Sequence, residues 1–316
     1  MSAPWLSVII PTCNGADYLA RTLASVANQD TSSIEVIAID DGSTDQTVAI
    51  LESFKQQLPL RLILQSRTGN WVANSALAVQ EAQGTYLCFL HQDDLWYSQR
   101  LERLQFYLSR SPDTVLWLHP CWYVDKDDGR LGRWSCPLPA LAHLGCELVL
   151  GQLLMQNFIG MPAPVFKRAS YAAVGGLDEH LWYAADWDLW LKLATIGRTV
   201  YLPDYLAAFR LHPQSQTIQR GRNLLELRRQ CQLVFDRHLP QFRTDSPHLQ
   251  RQLRRSFTAS LVVNENLMAF VQKLPVDYYQ LVRALWDLGP SHFLRWLRST
   301  RLLERIAARC RCQLRP

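Results

Sequence analysis

Four short apolar runs in the first part of the chain each stop at turn-forming or acidic residues. Leu6–Ile10 ends at Pro11-Thr12-Cys13-Asn14-Gly15, and Ile34–Ile39 at Asp40-Asp41-Gly42. Leu60–Leu64 ends at Ser66-Arg67-Thr68-Gly69, and Thr85–Leu90 at His91-Gln92-Asp93-Asp94. Unbroken runs of this length predict strands buried on both faces, as in a parallel sheet. Between them the apolar positions fall at helical spacing. Leu19, Leu23 and Val26 share a face within Asp17–Gln29; Val48, Leu51 and Phe54 follow, then Val72–Gln83. Strand and helix alternating in this rhythm predict a doubly wound α/β sheet.

Beyond Asp94 the rhythm loosens. A helix is expected over Ser98–Ser109 and a strand over Thr114–Leu118, while residues 120–145, with many Gly, Pro and Trp, read as a long excursion. Gly145–Asn157 reads as a helix, Ala163–Phe166 as a strand and Asp186–Thr195 as a strongly amphipathic helix. After Pro213 the pattern is helical throughout, near 219–238, 246–272, 276–288 and 290–309. The expected division is therefore an α/β unit over residues 1–218 and a helical region over 219–316.

Composition agrees with a globular chain: 316 residues, 48% hydrophobic and 19% charged. No stretch approaches the roughly 20 apolar residues needed to cross a bilayer, and the start lacks a basic, apolar signal pattern. Eight cysteines are scattered, several inside apolar segments, which suits reduced thiols and a cytoplasmic location.

The net charge of +5 hides an asymmetry. Residues 1–218 hold 15 basic and 21 acidic residues, and residues 219–316 hold 18 and 7, balances of −6 and +11. In the tail, Leu294, Leu297, Leu302, Leu303 and Ile306 alternate with Arg295, Arg298, Arg301, Arg305 and Arg309. Such a stripe suits peripheral contact with an anionic membrane at its inner face. The alternative is a packed helix whose apolar side covers the α/β unit. No nucleic-acid module accompanies the charge, so no nucleic-acid partner is expected.

Chemistry gathers at the acidic clusters Asp40-Asp41-Gly42-Ser43-Thr44-Asp45 and Asp93-Asp94, just past the predicted ends of apolar strands. Open α/β sheets bind ligands there. Adjacent carboxylates repel unless a cation or donor-rich ligand answers them. A hard divalent ion escorting a diphosphate would do so. The pattern points to a metal-dependent nucleotide site.

These segments resemble, in order and spacing, the family 2 glycosyltransferases of the GT-A fold. The resemblance rests on Ser7-Val8-Ile9-Ile10-Pro11-Thr12-Cys13-Asn14, Ile39-Asp40-Asp41-Gly42-Ser43-Thr44-Asp45, Asp93-Asp94, and Gly175-Gly176-Leu177-Asp178-Glu179 followed by Ala185-Asp186-Trp187-Asp188. It covers about Leu6 to His212 and leaves the helical tail uncovered. It implies a mostly parallel sheet flanked by helices. It also implies inverting transfer of a sugar from a nucleotide-sugar, UDP- or dTDP-linked, with Mn2+ or Mg2+, to a glycan or lipid-linked acceptor.

Carried over residue by residue, Asp41 would meet the base, bordered by Pro11, Thr12 and Asn14, with Arg67 over the base or ribose. A helix cap is the alternative for this cluster, and Asp40 or Asp45 suits it better than Asp41. Asp94 would ligate the metal, with Asp93 at the ribose or just behind the metal's ligands, and His212 as a further ligand. Asp186 would be the general base, taking the proton of the attacking hydroxyl, with Trp182 and Trp187 on the acceptor side. Asp186 could instead satisfy the N-terminus of its helix. Two departures stand out: Asn74 follows Gly69 by five positions where the family often has six, and Ala185 stands where the family often has Glu. A degenerate sugar-nucleotide-binding or scaffold protein and a nucleotidyltransferase are the competing readings.

Overall fold

A computed structural model describes residues 3–215, 219 and 223–313; the expected boundary at residue 218 lies outside the described residues. The strands are β1 Leu6–Thr12, β2 Ile34–Asp41, β3 Leu60–Gln65, β4 Tyr86–Phe89, β5 Leu95–Trp96 and β6 Thr114–Leu118. They continue as β7 Cys121–Val124, β8 Arg130–Trp134, β9 His143–Leu144, β10 Val165–Lys167, β11 Arg198–Tyr201 and β12 Ala207–Arg210. The helices are α1 Ala16–Ala27, α2 Thr47–Phe54, α3 Trp71–Gln80, α4 Arg100–Arg110, α5 Cys146–Met155, α6 Arg168–Ala173 and α7 Ala185–Ile196. In the tail follow α8 Leu224–His238, α9 Pro247–Val271, α10 Tyr278–Trp286, α11 Pro290–Ser299 and α12 Leu302–Gln313.

The larger sheet has the order β3-β2-β1-β4-β10-β6-β11-β9. Pairing is parallel through β3, β2, β1 and β4, and antiparallel where β10 joins β4 and β6. β1 is buried along its whole length, as an apolar run between two neighbours requires. The excursion at 120–145 is more ordered than its composition suggests. β7 and β8 form a hairpin and, with β5 and β12, a second sheet ordered β5-β12-β7-β8. These strands are short and carry a register shift between Tyr123 and Val124, so no clean alternation marks them.

α7 is not amphipathic. Ala185, Trp187, Asp188, Leu189, Trp190, Leu191, Leu193 and Ala194 are all buried, because α5 and α8 cover the side that the sheet does not. The tail is part of the same core: Leu227, Val234, Phe235, Phe257 and Leu261 join Leu153 and Trp190 in one apolar cluster. Phe235 stacks on Phe257 with ring centroids 4.0 Å apart, a contact of about 0.5–1.5 kcal/mol beyond area burial.

The predicted last helix is broken into α11 and α12 at Thr300-Arg301, where Arg301 takes a φ of 50°. α12 then lies across β8, with Ala308 over Gly132; a Cβ on Gly132 would come within 3.3 Å of the Ala308 methyl. This turns the expected stripe partly inside out: Arg305 is buried while Leu303 is exposed. No helix among the described residues is long and apolar enough to cross a membrane.

Candidate functional site

The C-terminal ends of β1, β2 and β4 open onto a cavity of about 680 Å3, and the loop after β3 closes its rim. Pro11, Thr12, Asn14, Asp41, Arg67 and Asn74 line one end. The turn after β2 requires Gly42: its φ is +62°, and a Cβ would sit 2.8 Å from the Arg67 nitrogen. Asn14 also has positive φ (47°); its Oδ1 accepts the Thr44 N–H at 2.8 Å, locking the two strand exits together.

The acidic residues of this turn divide their work. Asp40 accepts from the Ser43 N–H (2.9 Å) and hydroxyl (2.6 Å), and Asp45 from the Thr47 N–H (3.0 Å) and hydroxyl (2.5 Å). Both cap local turns. Asp41 reaches instead to the β3–α3 loop, accepting the N–H groups of Thr68 (2.6 Å) and Gly69 (2.8 Å). Burial pushes its pKa up, but these donors and the Thr68 hydroxyl outweigh it and hold the carboxylate below its usual range.

At the middle of the cavity Asp93 and His212 meet. His212 Nε2 lies 2.8 Å from Asp93 Oδ2, and its ring leans on Tyr18 at 4.4 Å between centroids. Arg210 braces the pair: its Nε donates to the Asp93 carbonyl at 2.7 Å, and its guanidinium lies 4.9 Å from the Tyr18 ring centre. Asp94 lies beneath. It is 2% exposed, does not line the cavity, and its Oδ1 accepts the Arg210 backbone N–H at 3.0 Å. Burial, then the Asp93 charge, raises its pKa well above the usual carboxylate range. The open carboxylate is thus that of Asp93, whereas the resemblance put the metal on Asp94, with Asp93 at the ribose or just behind the metal's ligands. The reason is the strand end: Asp94 turns inward to tie β12 to the β4 loop.

Asp93 and His212 fit a hard divalent ion. Asp93 offers a carboxylate oxygen and His212 a ring nitrogen at the cavity wall, the two protein groups that would hold such an ion. Such ions take few protein ligands and complete their shell with phosphate and water.

At the far end Asp186 opens α7. Its Oδ1 accepts the Trp187 N–H (2.7 Å) and its Oδ2 the Asn157 side-chain amide (3.1 Å). Its carboxylate borders the cavity within an apolar wall, and that burial raises its pKa to about 6 against the two hydrogen bonds. Trp182 borders the cavity beside it, half-buried. Trp187 also lines the cavity, yet it is 4% exposed and donates its indole N–H to the Leu153 carbonyl at 2.9 Å, so most of the ring packs as core behind Asp186. Asp188 points the other way, fully buried against Lys192 (2.7 Å), Arg237 (2.9 Å) and His238 (2.8 Å).

Several cavity residues carried no sequence signal. Tyr18 sits in an ordinary amphipathic helix, and Asn157 lies just past α5 outside any motif. Ser260, Asn264 and Met268 of α9 and Arg305 and Arg309 of α12 form another wall, although the tail lies outside the resembling segments.

A mostly parallel sheet with acidic residues at its strand ends thus shares one cavity with a carboxylate at a helix start. The family model for glycosyl transferase family 2 matches residues 7–144. A putative teichuronic acid biosynthesis glycosyltransferase, TuaG of Bacillus subtilis, is 30% identical over 213 residues, covering 66% of this chain and 79% of that protein. The chain belongs to glycosyltransferase family 2. Among solved structures, S. aureus TarS superposes with a TM-score of 0.65 at 20% identity, covering 96% of this chain and 54% of TarS. Its 1–349 portion in complex with UDP-GlcNAc gives 0.64 at 19% identity, covering 98% of this chain and 90% of that one. A mannosyltransferase from Pyrobaculum calidifontis, in complex with GDP-Man and Mn2+, gives 0.58 at 17% identity, covering 99% and 88%. The fold is GT-A.

Proposed function

We propose that this family member is an inverting transferase that moves a sugar from a UDP- or dTDP-linked donor to a hydroxyl of a glycan or lipid-linked acceptor. The observation that carries this is the placement of Asp186 in the same cavity as Asp41 and Asp93, with its pKa raised to about 6. A base poised near neutrality combines the right protonation state with useful proton affinity. Asp41 and the exits of β1 and β3 hold the base and ribose. Asp93 and His212 would hold Mn2+ or Mg2+, which supplies charge to offset the leaving diphosphate. Asp186 takes the acceptor proton as the hydroxyl oxygen bonds to the anomeric carbon from the side opposite the diphosphate, and the configuration inverts. The neighbour solved with UDP-GlcNAc supports a uridine-linked donor, and the one solved with Mn2+ supports the metal. Calorimetry of a nucleotide-sugar panel with and without Mn2+ tests it. Metal-dependent binding of one donor, followed by turnover, is expected; binding without turnover would favour the scaffold reading, for which Ala185 beside Asp186 speaks.

The acceptor end is completed by the tail, which we propose also meets an anionic membrane from the cytoplasmic side. Tyr278, Val282 and Trp286 share one face of α10 and are 71%, 64% and 83% exposed. Tyr279 and Arg283 of the same helix are exposed, as are Leu294, Arg295 and Arg298 of α11. Aromatic and aliphatic side chains among arginines suit the headgroup boundary of a bilayer.

A further inference from the structure

Arg305 and Arg309 stand one helical turn apart on α12 and both line the cavity. Arg305 is 8% exposed, its Nη2 donates to Asn264 Oδ1, and its Nη1 is buried without a hydrogen-bond partner. Arg309, half-buried, donates to the Arg305 carbonyl at 3.2 Å. Among the described residues no carboxylate forms an ion pair with either; the nearest in sequence, Glu304, pairs with Arg301. Two adjacent guanidinium groups in a low-dielectric wall repel each other and cost desolvation. Cations so placed call for an anion, and guanidinium forks match carboxylate and phosphate.

We infer that Arg305 and Arg309 form an anion subsite that reads a negatively charged group on the acceptor, a phosphate or a sugar carboxylate. The donor's diphosphate is the other candidate, and position argues against it. Arg305 is held by Asn264 of α9, and Phe257, two turns earlier on that helix, stacks on Trp187 beside Asp186 with ring centroids 6.1 Å apart. Arg305 thus stands toward the Asp186 end, where the acceptor hydroxyl must lie, with Arg309 one turn further along α12. This inference rests on the transferase reading above.

The test is calorimetry of glycerol 1-phosphate, methyl glucuronide and neutral methyl glucoside against wild type, Arg309→Gln and Arg309→Lys, each with and without UDP and Mn2+. The expected result is that one anionic probe binds wild type at least tenfold more tightly than Arg309→Gln, Arg309→Lys restores part of it, and UDP affinity is the same in all three. Preference for glycerol phosphate assigns a phosphate-bearing acceptor, and preference for the glucuronide a uronate. Equal anion affinity in wild type and Arg309→Gln, or no anion binding beside intact UDP binding, overturns the subsite. Loss of UDP affinity in step with Arg309→Gln also overturns it, giving the arginines to the donor. Anion binding that depends on Arg309 while UDP fails to bind upholds the subsite and removes the nucleotide reading instead.

Discussion

Asp93 Oδ2 and His212 Nε2 lie 2.8 Å apart although 119 positions separate them in the chain. The β4 exit supplies one and the segment after β12 the other, so the pair forms only when the two sheets close on each other. If this pair holds the metal, Asp93→Ala removes Mn2+-dependent donor binding and lowers kcat/KM by roughly 10²–10³-fold, about 3–4 kcal/mol. Asp94→Asn, changing a carboxylate beneath the cavity, keeps the Mn2+ dependence and shows its effect in thermal stability. Titration of each variant with UDP, with Mn2+ and then with EDTA, distinguishes them. Loss of metal dependence in Asp94→Asn alone would restore the metal to Asp94.

Asp186 sets the expected pH profile. A general base works as its carboxylate, so with a pKa of about 6 the rate falls as pH drops below about 6 and levels above it. The Asn157 amide favours the charged form; Asn157→Ala therefore moves the acid limb to higher pH. Asp186→Asn lowers kcat by about 10²–10⁴-fold with donor affinity retained. A kcat/KM profile for wild type and both variants checks all three. An acid limb unmoved in Asn157→Ala would separate that limb from Asp186.

The strand-end half of the cavity was legible because its chemistry is local. A strand end, a turn and a carboxylate lie within a few residues of one another, as in Asp40-Asp41-Gly42-Ser43, and buried parallel strands announce themselves as apolar runs. What escaped depends on long-range direction. Whether Asp93 or Asp94 faces the cavity is decided by Arg210, whose N–H claims Asp94 Oδ1. Sequence spacing likewise read Arg305 as one of a charged stripe, because the break at Arg301 that rotates α12 onto β8 has no marker such as Gly or Pro. The short strands β7 and β8 failed for a related reason, their burial coming from partners far along the chain.

Asp188 ties α8 to α7 and should matter for folding rather than chemistry. Burial alone would raise its pKa; His238 and Lys192 outweigh that and hold it at about 2. A carboxyl depressed on folding contributes stability above its unfolded value near 3.9, and that contribution is lost as pH falls toward about 2. Asp188→Ala strands three basic partners and is expected to cost about 3–5 kcal/mol. Urea unfolding between pH 2 and 7 measures both effects. A stability difference between wild type and variant that is constant across that range would detach Asp188 from the acid transition.

The exposed face of α10 supplies the last prediction. Trp286 is 83% exposed, with Tyr278 and Val282 on the same side and Arg283 next along the helix. At a bilayer the indole would enter the headgroup region while the arginines answer anionic lipid, each basic side chain contributing about 1 kcal/mol near the surface. Binding to phosphatidylglycerol vesicles is therefore expected to exceed binding to phosphatidylcholine vesicles and to weaken as salt rises. Trp286→Ser should reduce binding at every salt concentration, because it removes apolar contact, whereas Arg295→Gln with Arg298→Gln should flatten the salt dependence. Sedimentation with the two vesicle types separates these contributions. Equal, negligible sedimentation with both would leave the α10 face without a membrane role and confine the tail to walling the acceptor end of the cavity.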